Sequence, residues 1–343
     1  MAAVGAIPLV TVRRALLFLL DIGVPFTTGI ALGQPAGALL GAIAGMVLSF
    51  ADQEGTLIQR YAILLVVTGG ILAGGTLGYV LHDFQPAVWV LFALATFACG
   101  AFLGFGKAPV LGARFGAMAL VVANGSPAFD PGEVKYLGIA FATAAIMRTL
   151  DQMLAGPLPH LRGGAPRDPA HGWLRFAICY AGAAVASLWM GLSADPSRAL
   201  WVVVATLVAM QPDAQASYVR MADRVVGTVF GVVAAFLITS VVHDVWAIVA
   251  IVLVIAALIP HHLQDRYWLH TTLIAVLVLL VYDLATANPE ILRGLLHERL
   301  QDVLIGCSIA LVGTVIAFPV RKRRRKPDAD ALDPAEGEGP AAG

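Results

Sequence analysis

Long uninterrupted apolar runs dominate the chain, and short polar stretches separate them. Two examples are WVVVATLVAM at 201–210 and VWAIVAIVLVIAALI at 245–259. Such runs approach the ~20 apolar residues with which an α-helix crosses a bilayer. The strands of a membrane β-barrel would alternate apolar and polar residues instead, and these runs do not alternate. The pattern therefore predicts an all-α, polytopic membrane protein.

We predict that twelve of these runs cross the membrane. Several are shorter than ~20 residues, so some helices are expected to be tilted, broken or fused. The predicted segments are 14–32, 36–51, 61–81, 87–105, 110–124, 135–155, 173–193, 197–211, 222–242, 245–260, 268–286 and 300–320.

Composition supports the same class. Of the 343 residues, 59% are hydrophobic and 13% are charged, whereas soluble proteins average about 45–50% apolar and about 25% charged residues. Cys99, Cys179 and Cys307 all lie within apolar runs, where cysteine acts as a small hydrophobic residue. No Cys/His spacing indicates a zinc site, so neither a metal nor a cofactor is predicted. A cleavable signal peptide is not predicted either.

The distribution of basic residues predicts the orientation. With the N-terminus inside, 18 of the 22 Lys and Arg residues fall on the inner side, as the positive-inside rule requires. An even number of crossings places the C-terminus inside as well. The charged tail at 321–343 is expected to be a disordered cytoplasmic extension that contacts anionic lipid headgroups at most.

The chain also repeats itself. A shift of 161 residues places Pro35 on Pro196 and Asp52 on Asp213, among other matches. Each half then contains six segments and begins inside, so the halves are predicted to be parallel repeats. The predicted divisions are a first repeat at 1–155, a Pro- and Gly-rich cytoplasmic linker at 156–172, a second repeat at 173–320 and the tail.

Glycines recur at a spacing of four residues in both halves. Gly70, Gly74 and Gly78 form one such series, and Gly227 with Gly231 forms another. This spacing aligns them on one helix face and lets two backbones approach closely. Helix packing is the main interpretation, and a glycine face that lines a transport pathway is the alternative.

Four charged residues are predicted at membrane depth or at the membrane boundary. Asp21 lies in the middle of the first segment, and Asp283 lies near the outer end of the eleventh. Arg299 and Asp302 open the twelfth segment and share a helix face, which favours an interfacial salt bridge. For Asp21 two interpretations stay open: a structural pair with a neighbouring helix, or a proton or cation site.

The stretch QPDAQASYVRMADRVVGTVFG at 211–231 concentrates charge in an otherwise apolar chain. Residues 212–221 are predicted to form a short inner loop, followed by a helix start. Arg224 shares a helix face with Gly227 and Gly231. One arginine is thus predicted to lie on the face that packs most closely.

Two roles for Arg224 stay open. Its side chain either extends to the inner headgroups, or it coordinates an anion or gates the cytoplasmic mouth from a helix N-terminus. Asp223 is expected to pair with Arg220 or with a residue on another helix. The first half has Leu64 near the equivalent position, so any site is predicted to be asymmetric.

The same stretch resembles the fusaric acid resistance protein-like family. In that family a helix that begins near Trp ends in a Gln-Pro turn, and a basic loop with R-x-x-G-T-x-x-G follows. The matching residues here are Trp201, Gln211, Pro212, Arg224, Gly227, Thr228 and Gly231.

The resemblance implies a substrate-binding or gating role for Arg224, Gln211, Thr228 and Arg220. The family includes bacterial aromatic carboxylic acid exporters of the inner membrane, and plant malate transporters look distantly similar. Larger family members resemble two six-helix blocks separated by a long cytoplasmic domain, whereas the linker here is short. That departure bears on the export mechanism more than on the membrane fold.

The leading hypothesis is a secondary transporter in the bacterial plasma membrane that exports small organic anions, with Asp21 or Asp283 carrying a coupling proton. A passive anion channel and a non-transporting envelope protein are the alternatives. No enzyme is predicted, because nucleophile-elbow, zinc-protease and Walker motifs do not occur. The predicted partners are the lipid bilayer and a small organic anion, with proton coupling and homo-oligomerisation left open. No nucleic acid partner is predicted.

Overall fold

The computed structural model describes residues 9–52, 55–125, 131–158, 173–195, 198–262, 266–286 and 289–319. Within these ranges the chain forms twelve α-helices and no strand. The helices are α1 Leu9–Ala31, α2 Pro35–Ala51, α3 Leu57–Val80, α4 Gln85–Ala101, α5 Lys107–Gly125, α6 Val134–Ala155, α7 Trp173–Ala194, α8 Ala199–Ala209, α9 Ala214–Val241, α10 Val245–Leu258, α11 Tyr267–Thr286 and α12 Pro289–Ala317.

The helices define a polytopic membrane protein. Seven stretches in the described residues are long and apolar enough to cross a membrane, and they lie in α3, α4, α5, α7, α9, α11 and α12. The apolar helices α2, α8 and α10 are shorter. Because a helix rises about 1.5 Å per residue, the 11 residues of α8 span only part of a bilayer. The predicted all-α class is confirmed, whereas twelve complete crossings and the orientation stay predictions.

Two helices, α9 and α12, begin at least eight residues earlier than the apolar runs predict. The predicted loop at 212–221 is wrong, because α9 starts at Ala214. The Asp213 carboxylate accepts a hydrogen bond of 2.9 Å from the Ala216 amide, and such an N-cap stabilises a helix start. The last helix starts at Pro289, and proline suits the first position of a helix. Polar first turns thus extend both helices beyond their apolar parts.

The same helix pairings occur in both halves. Helix α3 packs along α5 as α9 packs along α11, and α2 contacts α6 as α8 contacts α12. The fourth helix of each half packs on the other half: α4 lies against α7, and α10 lies against α1. The contacts of α4 with α7 and of α10 with α1 interlock the two halves, and the repeat stays a prediction. Most of the predicted linker, 159–172, and the tail lie outside the described residues.

Two glycine faces make close helix contacts. A Cβ atom at Gly70, Gly74 or Gly78 would overlap a carbonyl oxygen of α5. A Cβ atom at Gly227 or Gly231 would overlap atoms of α11. Only hydrogen at these positions allows the helices to approach so closely, and each half therefore contains an equivalent glycine seam.

Candidate functional site

Six charged side chains of the first half join four helices, and we call them the paired-charge network. Arginines and aspartates alternate along it, three of each. Its members are Arg13 and Asp21 on α1, Asp52 at the end of α2, Arg60 on α3, and Arg148 and Asp151 on α6. The ion pairs are Arg13–Asp151 at 2.8 Å, Asp151–Arg60 at 2.8 Å, Arg60–Asp52 at 2.7 Å, Asp52–Arg148 at 3.4 Å and Arg148–Asp21 at 2.8 Å.

The network ends at Asp21, which is fully buried. Its Oδ2 accepts hydrogen bonds from Arg148 at 2.8 Å and from the Ser49 hydroxyl at 2.9 Å. Its Oδ1 is buried and has no hydrogen-bond partner. Asp21 thus pairs with a neighbouring helix, as one of the two interpretations requires, and one of its oxygens stays available.

A second group consists of arginines and tyrosines from α5, α7, α9 and α11, and we call it the basic–aromatic cluster. Its members are Arg114, Tyr180, Arg220, Arg224 and Tyr267. The Arg220 guanidinium carbon lies 3.9 Å from the centre of the Tyr267 ring, and that of Arg114 lies 6.0 Å from the centre of the Tyr180 ring. Tyr267 interacts electrostatically with Arg224, and Arg114 interacts weakly with Tyr267.

Among the described residues, no aspartate or glutamate forms an ion pair with an arginine of the basic–aromatic cluster, although Asp213 and Asp223 line the cavity beside Arg220. Arg114, Arg220 and Arg224 form no ion pair with a carboxylate among the described residues. The Nε atoms of Arg114 and Arg224 are buried without a hydrogen-bond partner. A buried donor without an acceptor costs about 1–3 kcal/mol, and more when it is charged. An anion that accepted from either donor would remove that donor's share of this cost.

Arg299 and Asp302 do not form the predicted salt bridge with each other. Asp302 pairs with Arg198 at 2.7 Å, because Arg198 precedes α8, which packs on α12. The Arg299 guanidinium carbon instead lies 3.0 Å from the centre of the Trp201 ring. Since α12 begins at Pro289, both charges lie inside the helix rather than at its start. Arg299 is also close enough to Arg224 for their charges to repel.

Arg224 itself does not lie at a helix N-terminus, as the sequence had suggested. Helix α9 begins at Ala214, so the free N–H groups of its first turn lie about ten residues earlier. Arg224 therefore contributes a guanidinium and no helix-end dipole. The basic–aromatic cluster gains its further positive charge from Arg114 and Arg220.

The other predicted site residues have separate environments. The Gln211 amide nitrogen donates to the Val208 carbonyl at 2.8 Å, at the end of α8. Thr228 is buried on α9 beside the glycine face. Asp223 lines a cavity of about 350 Å³ together with Arg220 and Tyr267. Asp283, near the end of α11, interacts with the charge of His243.

Sequence reasoning did not single out Arg114, Tyr267, Arg148 or Ser49 for the sites. Arg114 and Arg148 were assigned to the inner surface by the count of basic residues. Both lie within predicted membrane segments, however, and a charge at such a position is a functional candidate by default. That criterion would have identified the two arginines, although not their partners.

The comparisons with known proteins concern mainly the second half. Residues 170–313 match the model of the fusaric acid resistance protein-like family, which confirms the predicted resemblance over that region. A Haemophilus influenzae protein described as uncharacterized is 26% identical over 119 residues. This match covers 35% of the present chain and 16% of that relative. No solved structure matches the chain.

Proposed function

We propose that this protein is a secondary transporter that exports small organic anions, in particular aromatic carboxylates, from the bacterial cytoplasm. The basic–aromatic cluster is the proposed anion site. The observation that carries the proposal is the pair of buried Nε atoms, on Arg114 and Arg224, that lack hydrogen-bond acceptors beside aromatic rings.

The chemistry of the cluster suits an aromatic carboxylate. A carboxylate accepts parallel hydrogen bonds from a guanidinium, and charge-assisted bonds of this kind are about twice as strong as neutral ones. The rings of Tyr180 and Tyr267 provide surfaces on which an aromatic substrate packs. Arg220, stacked on Tyr267 at 3.9 Å, borders the 350 Å³ cavity and fits a position at the entrance.

A purely structural role does not explain this arrangement. Buried charges that hold a fold together are normally paired, because an uncompensated buried charge is strongly destabilising. The paired-charge network meets that condition with three arginines and three aspartates. The basic–aromatic cluster does not meet it with the described carboxylates, and a bound anion would complete it.

The test is transport of radiolabelled benzoate into proteoliposomes that are acidic inside. Exchange of the anion for protons predicts accumulation in these vesicles. Benzoic acid that permeates by itself accumulates in alkaline vesicles, so the sign of the gradient separates transport from leakage, and protein-free vesicles measure the leak.

Arg224→Ala is expected to reduce this accumulation at least about tenfold, since one charged hydrogen bond contributes about 1.5–3 kcal/mol. The control is Arg175→Ala, which removes an exposed arginine of α7. Wild-type accumulation by the Arg224→Ala protein would contradict the proposed site.

A passive anion channel is the second candidate. The proximity of Arg114, Arg220 and Arg224 to one tyrosine gives several cations along one route, as an anion-selective pore requires. Planar-bilayer currents carried by chloride or malate without a pH gradient would favour the channel. Failure of both transport and current would favour a non-transporting membrane protein.

A further inference from the structure

We propose that Asp21 is the proton-binding site of the transport cycle and that its protonation is coupled to the basic–aromatic cluster through α2 and α11. This inference rests on the proposed function. It assigns the proton to one end of the paired-charge network, at a distance from the arginines that would hold the anion.

Of the three aspartates in the network, Asp21 contacts the fewest arginines. Asp52 contacts both Arg60 and Arg148, and Asp151 contacts both Arg13 and Arg60. Asp21 contacts Arg148 alone, and it is fully buried. Burial disfavours a carboxylate, whereas each neighbouring cation favours it. Asp21 is therefore the aspartate of the network that binds a proton most readily.

The unused oxygen of Asp21 offers a place for that proton. Oδ2 accepts from Arg148 and Ser49, and Oδ1 is buried without a partner. A protonated Oδ1 leaves both existing hydrogen bonds geometrically intact, because neither uses that oxygen. Proton binding thus changes the charge at this position before it changes the packing.

Arg148 keeps other partners when Asp21 becomes neutral, although its Nε is buried without a hydrogen-bond acceptor. Its guanidinium also donates to the Ala144 carbonyl at 2.8 Å and to the Leu48 carbonyl at 2.9 Å. It lies 3.4 Å from Asp52 as well. Loss of the Asp21 charge therefore shifts the attraction on Arg148 towards Asp52, rather than leaving an isolated buried cation.

The groups that face Asp21 come from each neighbouring helix. Helix α2 contributes Ser49 and Asp52, and α6 contributes Arg148. Arg14 lies two turns earlier on α1 itself. Helix α10, which packs on α1, carries no charged residue. On α11, the titratable group beside Phe50 is His270.

A continuous series of ring contacts leads from Asp21 to the anion site. Phe50 follows Ser49 directly, and its ring lies 5.3 Å from Phe18 on α1 and 5.4 Å from His270 on α11. The His270 ring lies 5.7 Å from that of Tyr267, on which Arg220 stacks. A displacement of α2 after protonation would therefore be transmitted to α11 through the contact between Phe50 and His270.

The first measurement is the number of protons exchanged when benzoate binds. Purified protein in weakly buffered detergent is titrated with benzoate while pH is followed. The wild type is expected to exchange about one proton per bound benzoate, because linked equilibria are reciprocal. Asp21→Asn is expected to bind benzoate and exchange none. Asp83→Asn, at a side chain 90% exposed, is the matched control and is expected to behave as wild type.

The second measurement uses the vesicles. Asp21→Asn is expected to lose accumulation in acid-inside vesicles and to keep exchange of labelled for unlabelled benzoate at equal pH. If the Asn variant does not fold, Ser49→Ala replaces it. Loss of the hydroxyl donor destabilises the charged form of Asp21, so the pH of half-maximal transport is expected to rise by ~1–2 units.

The outcomes separate the two proposals. If the wild type binds benzoate without proton exchange, or if Asp21→Asn accumulates benzoate as the wild type does, the role of Asp21 is wrong while the anion site stands. An unchanged pH profile in Ser49→Ala also overturns it. If the wild type neither binds nor transports benzoate, the proposed function fails, and this inference fails with it.

Discussion

The two groups of charge in this protein differ in how they are balanced. In the paired-charge network each arginine lies within ion-pair distance of at least one aspartate, and the three charges of each sign cancel. In the basic–aromatic cluster, Arg114 and Arg224 form no ion pair with a described carboxylate. Their buried Nε atoms lack acceptors, and so does that of Arg148, but Arg148 has aspartate partners. Burial of charge alone does not distinguish a structural element from a binding site. The difference lies in the partners.

The largest expected effect is the loss of Arg148. Arg148→Met leaves Asp21 as a buried charge without its cation, and removal of one partner from a buried pair costs about 3–5 kcal/mol. Thermal unfolding in detergent measures the loss. The double variant Asp21→Asn with Arg148→Met removes both charges and is expected to recover part of it. Equal destabilisation of the single and double variants would show that the pair is not what holds these helices.

Arg114 is expected to respond in the opposite way. Arg114→Met removes a half-buried cation that has no carboxylate partner among the described residues, so the melting temperature is expected to stay the same or to rise. Benzoate accumulation is expected to fall about tenfold or more, since a charged hydrogen bond contributes about 1.5–3 kcal/mol. A destabilised protein with normal transport would place Arg114 with the paired charges instead.

The smallest expected effects concern the glycine seams that the two halves share. Gly74→Ala inserts a Cβ atom against the Gly116 carbonyl, and overpacking of this kind costs about 1–3 kcal/mol. Gly231→Ala is expected to cost a similar amount, with transport per folded molecule unchanged. The control is Gly75→Ala, where no atom lies within 4 Å of the added Cβ. A selective loss of transport in Gly231→Ala would mean that the α9 seam lines the pathway.

Much of the fold could be predicted from sequence, because each membrane helix corresponds to one continuous apolar run. Each of the twelve predicted segments overlaps an α-helix of the structure. The starts of α9 and α12 were misplaced, since their first turns are polar and depend on an Asp213 cap and on Pro289. The length of an apolar run does not include such polar turns.

The candidate site was only partly predictable. Arg224 stood out through a local motif, whereas Arg114 and Tyr267 reach it from helices that are distant in sequence. The same reason hid the pairing of Asp302 with Arg198: two residues three positions apart share a helix face, but a neighbouring helix supplied a better-placed cation. Contacts between helices are decided by packing, which a single sequence does not show.

The packing of the fourth helix of each half against the other half has a consequence for biosynthesis. Helix α1 is covered in part by α10, and α4 by α7. When the ribosome has completed only the first half, α1 and α4 therefore lack their partners, and lipid or a chaperone must cover those faces. Final assembly of the first half waits until α10 has been inserted. A chain cut within 159–172 would then yield two fragments that are stable only when they are made together.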